Sequence, residues 1–410
     1  MTIRPYNAER DAKAVRRIWR EVHWINSDDE EQMMDHFLAV VRAFVVELNG
    51  EAECLATSVP GTFRYLNEDL CLSAITGVTT SRVARKQGFA GRLTAERIAA
   101  DVVEGAEICV LSMFEQGFYD RLGFGTGPYE HKVRFDPADL MIGRPFRVPK
   151  RLTSDDWKAV HAGLLDRFLS HGACSLAPPR LIQAELGWPN GGFFGLGYDD
   201  GPDGALTHFF WARGKEECGP YYLKFFVYQT YDQLLELLAL LKSLGDQIRL
   251  VSLIEPPEIQ LQDLIKQPFR GQMVTHKTGY EQHCRASAYW QARICNLEAC
   301  LAKTHLTGSL VRFNLSLHDP ISDLLDADTP WHGISGQYVV TLGPESSAEP
   351  GIDEHLPTLT ASVGAFTRLW LGVRPATGLA VTDDLDGLPE LLSALDEILR
   401  LPVPNIGWEF

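Results

Sequence analysis

At 410 residues the chain has length for about three domains of roughly 150 residues each. Its formal charge of -16 disfavours nucleic acid and anionic membrane as partners, which would be repelled at ordinary salt, and is compatible with a cationic substrate or simply with solubility. There is no run of about 18 apolar residues and no apolar stretch behind the charged N-terminus, so a soluble cytoplasmic protein is expected; the eight scattered cysteines read as reduced thiols, and twelve histidines without HxxxH or CxxC spacing give no metal site.

The first part opens with "TIRPY" as a short strand. Asn7 then caps an amphipathic helix whose Ala12, Val15, Ile18, Trp19 and Val22 share one face. "SDDEEQMMDHFLAV" places acids in a first helical turn; Asp28, Asp29, Glu30 and Glu31 read either as helix-start acids or as the lining of an amine groove. "AFVVEL", "AECLATSV" and "DLCLSAITGVTT" read as a hairpin and a further strand. A second helix follows, with the stripe Ala95, Ile98, Ala99 and Val102 and a stop at Gly105; then come the buried strand "EICVLS" and the short helix in "EQGFYDRLGFG".

The second part repeats this order in different letters. Helix-like "SDDWKAVHAGLLDRFLS" precedes strands "FFGLGYD", "GALTHFFWAR" and "YYLKFFVY", a leucine-rich helix and "IRLVSLIEP". The strand-to-helix junction is basic and glycine-containing in the first copy, "SRVARKQGFAG", but a plain capping box of Thr230 and Gln233 in the second. The third part has strands "SLVRFNLSL" and "GQYVVTLG", helical "ASVGAFTRLWLGV" and "DGLPELLSALDEILRL", and the polar loop "GPESSAEPGIDEHLP", an α+β layer.

A helix beginning near Gly88 presents unpaired N–H groups and a partial positive charge, which glycines let an anion approach and which Arg85 and Lys86 reinforce. This fits a pyrophosphate, although a basic surface turn gives the same letters; GxxxxGK[ST] and GxGxxG are both absent. Tyr119 lies one strand further on, where a phenol with a reference pKa near 10 either protonates a thiolate leaving group or packs as a core tyrosine.

Together, R-x-x-G-x-A at Arg85, Gly88 and Ala90 and the segment "FYDRLGF" resemble the GCN5-related N-acetyltransferase (GNAT) superfamily. With the second copy, the third part and the terminal Trp408, Glu409 and Phe410, the chain resembles the Eis (enhanced intracellular survival) group. The resemblance implies an α/β (α+β) fold: tandem GNAT folds over residues 1–135 (catalytic) and 145–285 (degenerate), then a sterol-carrier-like domain over 286–410 with a contribution from about 130–144. It implies transfer from acetyl-CoA to an aminoglycoside-like, polyamine or lysine amine, without a metal, in a homo-oligomer, commonly a hexamer. Val78, Thr79 and Thr80 would meet the pantetheine and thioester; Arg85, Lys86, Gln87, Gly88, Phe89, Ala90 and Gly91 would hold the pyrophosphate; Phe114 and Glu115 would add coenzyme contacts. Phe114 departs from the small hydroxyl residue commoner there. Tyr119 would be the general acid, the Phe410 carboxylate the general base, and Glu409 an amine-binding acid. The alternative is a non-catalytic acyl-CoA or lipid carrier. A terminal carboxylate near pKa 3.5 facing an alkylammonium near 10 leaves a gap of about 6 units, roughly 9 kcal/mol, for proton transfer.

Overall fold

The computed structural model describes residues 2–113, 115–188 and 192–410. The chain first forms β1 (Thr2–Pro5), α1 (Ala8–Glu21), α2 (Asp28–Leu38), β2 (Arg42–Leu48), β3 (Glu51–Tyr65), β4 (Glu68–Thr80), α3 (Phe89–Val103), β5 (Ile108–Ser112), α4 (Gln116–Asp120), β6 (Gly125–Thr126) and β7 (Glu130–Phe135). It continues through β8 (Lys150–Leu152), α5 (Trp157–Leu165), β9 (Cys174–Leu176), α6 (Arg180–Gly187), β10 (Phe193–Tyr198), β11 (His208–Gly214), β12 (Tyr221–Val227), α7 (Tyr231–Ser243), β13 (Val251–Ile254), α8 (Pro268–Thr275) and β14 (His283–Ser287). The last stretch is β15 (Trp290–Ile294), α9 (Leu297–Ala302), β16 (Val311–His318), β17 (Gly336–Leu342), β18 (Ser347–Pro350), β19 (Thr358–Ser362), α10 (Val363–Trp370), α11 (Ala376–Thr382), β20 (Leu385–Gly387) and α12 (Pro389–Ile398).

Local chemistry sets the helices. The Asn7 side chain accepts the Arg10 N–H at 3.1 Å, and α1 buries Val15, Ile18 and Trp19. Ser27 and Glu30 close a capping box at the start of α2, while Asp28 and Glu31 pair with Arg20 at 3.2 and 2.7 Å, so three of the four acids there are engaged where the helix starts. In α3, Asp101 is fully buried and accepts from Ser73 of β4 at 2.8 Å, Arg97 of its own helix at 2.8 Å and Arg42 of β2 at 3.0 Å. That network sets how α3 lies on the sheet.

Three mixed sheets with helices against them make up the fold. The first runs β1-β2-β3-β4-β5-β15-β6 with β9 beside β3, the second β14-β7-β13-β12-β11-β10-β8, and the third β18-β17-β16-β19-β20. The sheets cross the divisions drawn from sequence: β7 leaves the first part to pair with β13 and β14, and β15, at the head of the third part, lies between β5 and β6. The segment "GPESSAEPGIDEHLP", expected as a loop, contains β18, whose polar composition suits the outermost strand of the third sheet.

The two copies share a parallel pair joined by a helix, β4-α3-β5 and β12-α7-β13. In each the pairing stops early. Leu72–Ile75 pair with Ile108–Leu111 and Tyr221–Tyr222 with Val251–Ser252, beyond which the strands part.

Candidate active site

The first opening, between β4 and β5, gathers the expected coenzyme residues. Between Leu55↔Thr79 and Thr57↔Thr76 the β3–β4 register shifts, so Ala56 faces both Gly77 and Val78 and the strand bulges where it leaves β5. Gly77 has φ 60°, and a Cβ there would sit 2.7 Å from Thr57 Oγ1, so only glycine fits the bend. Thr79 is buried with Oγ1 lacking a partner among the described residues; Thr80 Oγ1 lies 3.2 Å from Cys54 Sγ.

The turn after β4 then makes the cradle. Gly88, at φ 80°, is the N-cap of α3 with no side-chain cap, so the first-turn N–H groups of Phe89, Ala90 and Gly91 have no side-chain acceptor among the described residues. Lys86 also has positive φ, 62°, an uncommon conformation for a residue with a side chain. Arg85, Lys86 and Gln87 are exposed; among the described residues neither cation forms an ion pair, while Gln87 donates to the Val83 carbonyl at 3.0 Å. Gly91 faces the third part, where a Cβ would come 4.0 Å from Leu324, and Arg92 pairs with Asp326 at 2.7 Å. Uncapped amides, a glycine N-cap and two unpaired cations fit a pyrophosphate, and the bulge and splayed strands fit an extended pantetheine arm beside them.

Tyr119, on α4, is 6 % exposed and packs edge-on to Phe118 and Phe124 with ring centroids 4.8 and 6.1 Å away. Its hydroxyl has no hydrogen-bond partner among the described residues. Burial, with a smaller push from the exposed Glu115, raises its pKa to about 12, so the phenol stays protonated at neutral pH. Phe114 lies outside the described residues.

The chain end lies along the second part. Cys174 N–H donates to the Ile406 carbonyl at 2.9 Å and Asn405 N–H to that of His171 at 2.8 Å; Trp408, 2 % exposed, sits beneath the Arg167 guanidinium at 5.6 Å. Glu409 accepts the Tyr289 hydroxyl at 2.7 Å, and the Tyr289 carbonyl accepts the Met113 N–H at 2.6 Å. The tail is thereby tied to the end of β5, six residues before Tyr119. Half-buried Phe410 packs against the main core. A cavity of about 390 Å³ opens beside Glu409, between the parted ends of β12 and β13; Tyr289 and Glu130 also line it. The last two lay outside the reading from sequence. Glu130 opens an unremarkable alternating strand and Tyr289 lies in the two-residue link between β14 and β15, so no local motif marks either.

A second charged cluster is structural. Ligand atoms of Asp200, His208 and Glu236 lie within 4.8 Å of one another, but Arg147 holds Asp200 at 2.7 Å and Glu236 at 2.8 Å and lies over the Tyr198 ring. Its guanidinium supplies the positive charge that a cation would bring.

Residues 2–127 match the family model described as "Acetyltransferase (GNAT) domain". The chain therefore carries a GNAT acetyltransferase domain; it is an N-acetyltransferase by class, and acetyl-CoA is the acyl donor that this family uses. Over its whole length the fold is similar to that of a probable N-acyltransferase from Enterococcus faecalis V583, at TM-score 0.80 and 16 % identity, covering 100 % of this chain and 99 % of that one. It is also similar to Eis1 from Mycobacterium abscessus, at TM-score 0.76 and 16 % identity with 100 % of both chains covered, and to a GCN5-related N-acetyltransferase from Kribbella flavida, at 0.76 and 17 %, covering 100 % and 98 %. No curated protein matches the chain.

Proposed function

We propose that the protein transfers an acetyl group from acetyl-CoA to an amine of a cationic small molecule, aminoglycoside-like or polyamine, or to lysine. Val78–Thr80 and Arg85–Gly91 hold the coenzyme, Tyr119 donates a hydrogen bond and then a proton to the leaving sulfur, Glu409 recognises the amine, and the Phe410 carboxylate takes its proton. The observation that carries this reading is the path from Glu409 through Tyr289 to Met113, which ties an acid-bearing tail to the end of the strand that leads into Tyr119. In the same reading the third sheet with its helices is sterol-carrier-like, and the protein works as a cytoplasmic homo-oligomer, a hexamer as in the group it resembles.

A thiol-release assay with acetyl-CoA against polyamines, aminoglycosides and lysine peptides tests the activity. Release with at least one class is expected; coenzyme binding without release for any amine would favour a carrier. Removal of Phe410, or extension of the chain beyond it, should abolish transfer while leaving coenzyme binding intact, and undiminished transfer would move the base elsewhere.

A further inference from the structure

Glu130 is a second acid in the wall of the 390 Å³ cavity, and it has no place in the scheme above. It is 6 % exposed, and its Oε2 atom is buried without a hydrogen-bond partner among the described residues. Burial first, and then the nearby charge of Glu409, raise its pKa to about 7, against the opposing pull of the adjacent Tyr289 hydroxyl.

The surroundings explain why this charge is uncompensated. Of the other charged groups at the cavity, Lys224 of β12 pairs with Glu185 at 2.5 Å, Glu255 after β13 pairs with His131 at 3.1 Å, and Arg167 spends its guanidinium on carbonyls of Leu164 and Cys174. Arg213 of β11 lies over Phe193, and Lys132 is exposed on the same strand as Glu130. The Cys174 thiol behind Glu130 is neutral, its pKa pushed up by burial. The Tyr289 hydroxyl stands between the two carboxyls, and it has one hydrogen to give, which goes to Glu409. Glu130 is therefore left as the carboxyl that most readily keeps a proton.

We propose that Glu130 is the final acceptor of the proton lost by the substrate amine, reached from Glu409 through the Tyr289 hydroxyl. This rests on the acetyl-transfer reading. The N–H bond of the ammonium breaks, its proton passes to the Phe410 carboxylate and from there to Glu409, and Phe410 is again a carboxylate. Once Glu409 is protonated the Tyr289 hydroxyl turns from it to Glu130, and the Tyr289 oxygen takes the Glu409 proton as its own hydroxyl proton passes to Glu130. The amine lone pair is freed, Tyr289 ends neutral, Glu409 is again a carboxylate, and Glu130 is a carboxylic acid that later loses its proton to water in the cavity. Against an alkylammonium near 10, an acceptor near 7 halves the gap that faces an ordinary terminal carboxylate, from about 6 units to about 3.

The test is the pH profile of kcat from about pH 5 to about pH 9 with an amine that the parent enzyme acetylates. The parent should lose activity as pH falls through about 7, where Glu130 becomes protonated and cannot accept. Glu130→Gln should lower kcat about a hundredfold and abolish that limb, with the KM for acetyl-CoA unchanged. Tyr289→Phe, which breaks the relay while leaving Glu130 in place, should also lower kcat. Difference infrared spectra of the substrate-free protein should show one carboxyl titrating near 7 in the parent and none there in Glu130→Gln. An active parent whose limb survives in Glu130→Gln, or whose infrared signal does, overturns this role alone; a parent that releases no thiol with any amine overturns the acetyl-transfer reading and this role with it.

Discussion

A tyrosine with a pKa near 12 is fully protonated at pH 7, yet it is a weaker acid than a free phenol, and full transfer to a thiolate near 8.5 is uphill by roughly 5 kcal/mol. In the proposed reaction Tyr119 would therefore help first as a hydrogen-bond donor to the charge developing on sulfur. Tyr119→Phe should reduce kcat about a hundredfold and change coenzyme affinity little, measured by thiol release and by equilibrium binding; equal turnover in the two proteins would remove its role. Glu130 carries a signature that needs no substrate. Its folded pKa lies above that of an unfolded glutamate, near 4.5, so the folded chain binds the extra proton between the two values and stability falls as pH rises through about 7. The carboxylate costs up to about 3 kcal/mol above that pH. Glu130→Gln should consequently melt higher than the parent at pH 8 and close to it at pH 4, and a stabilisation equal at both would mean that the carboxyl is not perturbed.

Among the elements, α1, α3, β5 and α7 were legible in the chain because their signals are local: caps, apolar periods and a glycine before a helix. The turn at residues 82–88 was legible for the same reason. What escaped is what pairing at long range decides. Nothing near Glu130 announces that β7 would join the second sheet, and "YWQARI" reads as the start of a new part although it fills a gap in the first sheet. One contact shows what that strand does for the site. Arg293 of β15 is fully buried, donates to the Leu122 carbonyl and to Asp319 at 2.6 Å, and lies over Trp331; Leu122 N–H in turn donates to the Tyr119 carbonyl at 2.9 Å. The turn that carries Tyr119 is thus clamped by a buried ion pair. Asp319→Ala should cost about 3–5 kcal/mol by leaving that guanidinium unpaired, read as a lower denaturant midpoint, and an unchanged midpoint would show that the pair is not what holds the turn.

For the whole molecule, the exchange of β7 and β15 makes the first two sheets inseparable. Residues 2–127, the span that matches the acetyltransferase family, contain β5 and β6 but not the strand between them. Expressed alone, that span should show no cooperative unfolding transition, whereas the full chain should unfold without a separate transition for its N-terminal part; a well-folded fragment would show that β15 is dispensable. Trp290, Ala292 and Ile294 of that strand contribute to the core that also contains Trp370 and Trp408, so its placement reaches all three parts. The order of synthesis gives the same feature another meaning. As the chain leaves the ribosome, β5, an apolar strand with open hydrogen-bonding groups on one side, must wait for residues 290–294 to be made. Throughout that interval it is a docking edge for any passing strand, so slow translation of the middle part, or too little chaperone, should sort newly made chains into aggregates before any enzyme exists to be assayed.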